Sequence, residues 1–188
     1  MTSSTSDTLL KRLRRPGDQA AWDRFVELYT PLLYYWARRM RLQEADAADL
    51  VQEVFALLLQ KLPEFDYDAQ RSFRGWLRKI TVNKWHEKQR RLAARHEASA
   101  DPQPELPGPD AADEFWDREY QQHVVRRALE VMQSEFHPAT WKACWEMVVG
   151  GRSAADVATE FGLSIGAARA AKFRVLRRLR VEFEGLLD

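Results

Sequence analysis

The sequence predicts an all-α fold made of two small helical domains joined by a proline-rich linker. Three observations carry this. Apolar residues recur at helical spacing on both sides of the chain's midpoint, and nothing reads as a strand meander. Residues 101–110 read DPQPELPGPD, where Pro102, Pro104, Pro107 and Pro109 suit neither helix nor sheet and predict an extended segment. Residues 153–180 carry two cap residues and a glycine spaced as in a pair of helices around a tight turn. The expected boundaries are 1–17, a flexible N-terminus and the start of the first helix; 18–95, the first domain; 96–113, the linker; and 114–188, the second domain.

Along the chain, Asp18 can cap a helix carrying Phe25, Val26 and Tyr29, with Pro31 breaking or restarting it before Leu32 to Met40. A second helix spans 44–61, with Leu50, Val51, Val54, Leu57 and Leu58 on one face and Pro63 just beyond its end. The loop 64–70 is polar, with Phe65 and Tyr67 expected to be exposed. A third helix runs over about 71–91, with Phe73, Trp76, Leu77 and Ile80 as its core stripe. Past the linker, residues 114–132 are helical, with Val124, Val125, Ala128, Leu129 and Met132 apolar. Pro138 suits the first turn of the next helix, whose Trp141, Cys144, Trp145 and Val148 fall at helical spacing before Gly150 and Gly151 end it.

The 188 residues hold 45% hydrophobic side chains, enough for a core, and 29 basic against 28 acidic groups. That balance conceals blocks. Between residues 42 and 68 there are seven acids, among them Asp46, Asp49 and Glu53, and one base, Lys61. Between 71 and 95 there are nine bases and one acid, Glu87. A single cysteine, Cys144, rules out an internal disulfide and lies on an apolar stripe, which favours a buried thiol over a nucleophile. The opening residues include no apolar stretch of the signal-peptide kind, and no apolar run reaches the roughly 18 residues of a membrane helix. A cytoplasmic protein without membrane insertion is expected.

In the C-terminal unit, Ser153 caps a first helix with Asp156 three residues on, and Val157 and Ala158 face inward. Gly162 stands where a left-handed backbone is wanted. Ser164 caps a second helix whose buried stripe is Ala168, Ala171, Val175 and Leu179. Such a helix can enter the major groove, N-terminal residues first. Gly166 and Ala167 permit close approach, and Arg169, Lys172, Arg174, Arg177 and Arg178 supply phosphate contacts or a bidentate arginine on guanine.

In the N-terminal half, Asp46, Asp49 and Glu53 form either a solvated face or a docking face for a basic surface. On the third helix, Arg74, Arg78, Thr81, Trp85 and Lys88 fall on one side, away from the core stripe. A basic face with an aromatic suits a nucleic-acid backbone and an unstacked base, and Tyr67 and Gln70 could help pocket an extruded base.

The strings ADLVQEVFALLLQKLPEFD and SFRGWLRKITVNKWHEKQRR resemble region 2 of the extracytoplasmic-function sigma factors of the sigma-70 family. The helix-turn-helix with GLSIGAARAAKFRVLRRLR is similar to their region 4. The resemblance covers about 18–91 and 114–187. It implies a transcription initiation factor whose partners are RNA polymerase core and promoter DNA, with an anti-sigma factor as a further partner it allows. It implies polymerase docking by Asp49, Gln52, Glu53 and Phe55. Asn83 would help hold a flipped base of the −10 element, with Lys84, Arg90 and Arg91 along the backbone. Region 4, including Ser164 and Phe173, would read the −35 element. Ala167 and Ala168 stand where threonine and valine are common in the family, and Phe173 where a small polar residue is frequent, so the family's −35 preference is not implied there.

The sequence holds no phosphate-binding GxxxxGK[ST] or GxGxxG loop. Its histidines, His86, His96, His123 and His137, are not spaced with Cys144 or each other as metal ligands, so no cofactor, metal or catalytic role is expected. Two other readings stand beside the sigma-factor one. A conventional helix-turn-helix regulator would bind duplex without polymerase, usually as a dimer. An enzyme or RNA-binding protein would use the basic third helix.

Overall fold

The computed structural model describes residues 8–15, 17–65, 72–95 and 109–186, without the side chains of 95 and 109–118. These residues form eight α-helices: α1 (Leu9–Leu13), α2 (Gln19–Arg39), α3 (Glu44–Lys61), α4 (Phe73–Arg95), α5 (Pro109–Val131), α6 (Pro138–Val148), α7 (Ala154–Phe161) and α8 (Ile165–Glu182). Two 3-10 turns, Leu62–Glu64 and Gln133–Glu135, complete the regular structure, and no strand occurs among the described residues. The all-α expectation is met.

Four local expectations are not. The segment 1–17, expected to hold a flexible N-terminus and the start of the first helix, contains a separate short helix, α1, capped by Thr8 and burying Leu9, Leu10 and Leu13. Five residues are too few for an isolated helix; tertiary burial holds this one. Arg12 clamps it by a two-pronged bond to Asp18, at 3.0 and 2.9 Å. Asp18 also caps α2 through the Ala21 amide at 3.0 Å. The Arg12 guanidinium, then the Ala21 amide, hold the Asp18 carboxyl below its usual range.

Pro31 does not break α2, which runs unbroken through it. A proline leaves the carbonyl four residues back without its helical donor. That carbonyl is Glu27 O, and Arg127 Nε of α5 donates to it at 3.0 Å. Phe65 is buried, not exposed: it stands edge-on to Phe73 and 4.4 Å from Trp76, centroid to centroid. The helix after the linker begins at Pro109, so 109–113 of the expected linker is helical. Proline is well placed there, because the first helical amide needs no partner within the helix.

One cluster of buried side chains runs through both halves of the chain. It joins Phe25, Tyr29 and Trp36 of α2 and Phe73 of α4 to Tyr120 and Leu129 of α5 and Val175 and Leu179 of α8. Each large apolar side chain so buried contributes about 1.5–3 kcal/mol before entropy is counted. A smaller cluster, Ala143, Met147, Val157, Ala158, Ala168 and Ala171, lies inside the C-terminal unit.

The end of the described chain returns to α2 and α5. The hydroxyls of Tyr29 and Tyr120 lie 2.7 Å apart and share a hydrogen bond, and both reach Leu186 O, which accepts from them. Alongside, Arg24 pairs with Glu135, and Arg178 pairs with both Glu135 at 3.2 Å and the buried Glu182 at 3.0 Å.

Candidate nucleic-acid and docking surfaces

The helix-turn-helix forms from local signals. Ser153 Oγ accepts from Asp156 N at 3.1 Å, and Ser164 Oγ accepts from Ala167 N at 3.1 Å. Between them Gly162 adopts φ 63°, and Leu163 N donates back to Ala158 O at 2.8 Å. A side chain at Gly162 would meet no neighbour, so backbone geometry alone selects glycine there. Arg152 fastens the corner between α6 and α7 by pairing with Glu160 and Glu146, and Glu160 above all raises its pKa.

α8 packs its stripe Ala168, Ala171, Val175 and Leu179 on α6 and α7 and turns its other side outward. Ser164, Gly166, Ala167, Arg169, Phe173, Arg174 and Arg177 are exposed, and Lys172 is half-buried. Arg178 differs: its guanidinium is engaged by Glu135 and Glu182.

The second surface is built by α3 and α4. Lys88, expected on an open face, is buried, its ammonium 3.0 Å from Asp46 and 3.4 Å from Asp49. Arg91 pairs with Glu53 at 2.7 Å. The acidic block and the basic helix therefore neutralise part of each other. Trp85 is buried as well and donates through Nε1 to Met40 O at 3.3 Å, while Thr81 is buried and bonded to Leu77 O. The expectation that Thr81, Trp85 and Lys88 share an open face with Arg74 and Arg78 is thus corrected. α4 is packed on two sides, and its pattern revealed only one of them.

Lys79, Asn83, His86 and Arg90 are exposed at spacings that place them in one row along α4. Asn83 and Arg90 were expected at the DNA surface; Lys79 and His86 were missed, although counting from Asn83 by helical steps finds both. Lys84 is half-buried and pairs with Glu87 at 2.7 Å, which lowers the pKa of Glu87. Arg74 and Arg78 are half-buried. Of the residues expected to dock a partner, Asp49 and Gln52 are exposed, Glu53 is half-buried, and the Phe55 ring lies edge-on to Phe25 at 6.0 Å. Tyr67 and Gln70 fall outside the described residues.

Among the described residues no group of three histidine, cysteine, aspartate or glutamate side chains is placed to hold a metal ion. Burial pushes the Cys144 thiol up to about 11. No described helix is long and apolar enough to cross a membrane.

Residues 25–95 match the family model of sigma-70 region 2. The chain is 34% identical over 96 residues to the RNA polymerase sigma factor NccH of Alcaligenes xylosoxydans xylosoxydans, covering 51% of this chain and 50% of that protein. It is 27% identical over 169 residues to the ECF RNA polymerase sigma factor SigE of Mycolicibacterium smegmatis, covering 87% and 63%. To the RNA polymerase sigma factor CnrH of Cupriavidus metallidurans it is 33% identical over 84 residues, covering 45% and 43%. The matches thus span from under half to under two thirds of these relatives' lengths.

Proposed function

We propose that the chain is a sigma factor of the sigma-70 family, in its extracytoplasmic-function group, and that it binds RNA polymerase core and directs it to promoters. Residues 18–95 act as region 2 and 114–188 as region 4, with the proline-rich stretch linking them. α3 docks on core through Asp49, Gln52, Glu53 and Phe55. The open row of α4, with Lys84 and Arg91 beside it and Tyr67 and Gln70 before it, holds the melted strand of the −10 element. α8 reads the −35 duplex. The factor performs no covalent chemistry, works in the cytoplasm where polymerase does, and has an anti-sigma factor as a further partner.

The observation that carries this reading is the basic outer side of α8 in a chain that also holds a region 2. From Ile165 to Val181 there are six basic side chains and no acidic one, the pattern a phosphate backbone attracts. Docking is tested by mixing the chain with sigma-free bacterial core and resolving the complex on a native gel. Asp49→Lys with Glu53→Lys is expected to abolish the complex. Adding Arg91→Glu re-forms an ion pair of reversed sign without restoring it. Undiminished complex formation by the charge-reversed chain would remove α3 as the docking element.

A further inference from the structure

The outward side of α8 carries few hydrogen-bonding groups where its first turns would face base edges. Of its exposed residues from Ile165 to Phe173, only Arg169 carries a side-chain donor; the others are Ile165, Gly166, Ala167, Ala170 and Phe173. Phe173 is 67% exposed, more than any other large apolar side chain among the described residues. Gly166, Ala170, Phe173 and Arg177 follow one another at helical spacing, opposite the buried stripe. A shallow groove of about 510 Å³ lies along the last three of these, lined by Ala170, Phe173, Arg174, Arg177, Arg178 and Val181.

Gly166 has no explanation inside the chain. A Cβ there would meet nothing closer than Ser164 Oγ at 3.9 Å, so packing within the chain does not call for glycine. Its missing side chain leaves room for something outside. The flanking charge decides what: a side that exposes Arg169, Arg174 and Arg177 fits a polyanion. In the major groove of such a partner the one apolar feature is the thymine C5 methyl, which alanine and phenylalanine contact well.

We propose that Phe173 is a specificity-determining residue that reads thymine methyl groups in the upstream duplex, with Gly166 and Ala170 allowing the close approach and the arginines holding phosphates. This rests on the reading of α8 as the helix that meets the −35 duplex. Specificity then comes from methyl contact and groove fit more than from hydrogen bonds.

The test uses the complex of the full chain with bacterial core polymerase and a duplex library randomised upstream of the melted segment. Each thymine of the selected upstream element is then replaced singly by deoxyuridine, which removes the methyl and leaves the hydrogen-bonding edge intact. At one or two positions the replacement should weaken binding roughly four-fold, as loss of one buried methyl implies. In Phe173→Ala that sensitivity should vanish, while the salt dependence stays as in the parent. Phe173→Leu should keep part of it. Unchanged melting temperature of the variants confirms folding, as the exposure of Phe173 leads one to expect. The same selected element for Phe173→Ala as for the parent, with deoxyuridine tolerated everywhere by the parent or still resisted by the variant, overturns the proposal. So does unaltered DNA selection combined with loss of core binding, which would make this side a protein contact. Failure of the parent complex to retain any duplex would instead refute the promoter-directing role itself.

Discussion

Lys88 separates a structural role from a DNA-binding one. Its side chain is 9% exposed, and its ammonium faces Asp46, 32% exposed, and Asp49, 71% exposed. Lys88→Met keeps the stem and removes the charge. Both carboxylates can then rehydrate, so after discounting for solvent screening the loss is about 1 kcal/mol. Lys88→Ala also deletes three buried methylenes at about 0.8 kcal/mol each, for a total of about 3 kcal/mol. Urea unfolding followed by far-UV circular dichroism should rank the parent above Met and Met above Ala. Salt dependence of promoter binding by the polymerase complex supplies the second readout. A phosphate contact contributes about 0.9 to the slope of log affinity against log salt. Lys88→Met should leave that slope unchanged, whereas Arg90→Ala, on the open row of α4, should lower it by about one. A Lys88→Met chain as stable as the parent, with the slope reduced by about one, would show the lysine to be free for DNA and refute the pairing with α3.

Tyr29 predicts alkaline sensitivity. Burial, and then the neighbouring Tyr120, push its phenol well above the usual value near 10. Because the folded value is raised, the stabilisation is complete below about pH 10 and is lost as pH climbs toward the folded value. The urea midpoint should fall above pH 10, and less steeply in Tyr29→Phe; ultraviolet titration of Tyr29 at its ordinary value in the intact fold would contradict this. Gly162→Ala should cost about 1 kcal/mol, because it forces alanine into a left-handed backbone, with unchanged unfolding as the adverse result. Cys144, raised to about 11 by burial, should react with thiol reagents at mild pH only as fast as the chain unfolds, and rapid labelling of the native chain would count against its burial.

The features legible in the sequence were the local ones. Ser153, Gly162 and Ser164 each act within a few residues, so their spacing sufficed to place the helix-turn-helix. Pro31 misled because the group that relieves its broken hydrogen bond, Arg127, lies 100 residues along the chain from Glu27. α1 is held by burial supplied from elsewhere, and five residues give no usable periodicity. On α4, the stripe Phe73, Trp76, Leu77 and Ile80 identified one packed side, but Trp85 and Lys88 are covered by Met40 O and the α3 carboxylates. A helix buried on two sides has weak amphipathicity, and its open row shows only once an exposed member such as Asn83 is known. The adjacent blocks of opposite charge were visible, but that they pair with each other depends on how α3 and α4 are laid side by side. The Arg24, Glu135, Arg178 and Glu182 network joins residues from opposite ends of the chain, and composition carries no trace of it.

The central claim, that this chain confers promoter selection on polymerase, is tested most directly by transcription from bacterial genomic fragments with sigma-free core, with and without the purified chain. Discrete transcripts that require both components and start at a common upstream pattern are expected. Transcription unaffected by the chain, together with tight duplex binding by the chain alone, would contradict it.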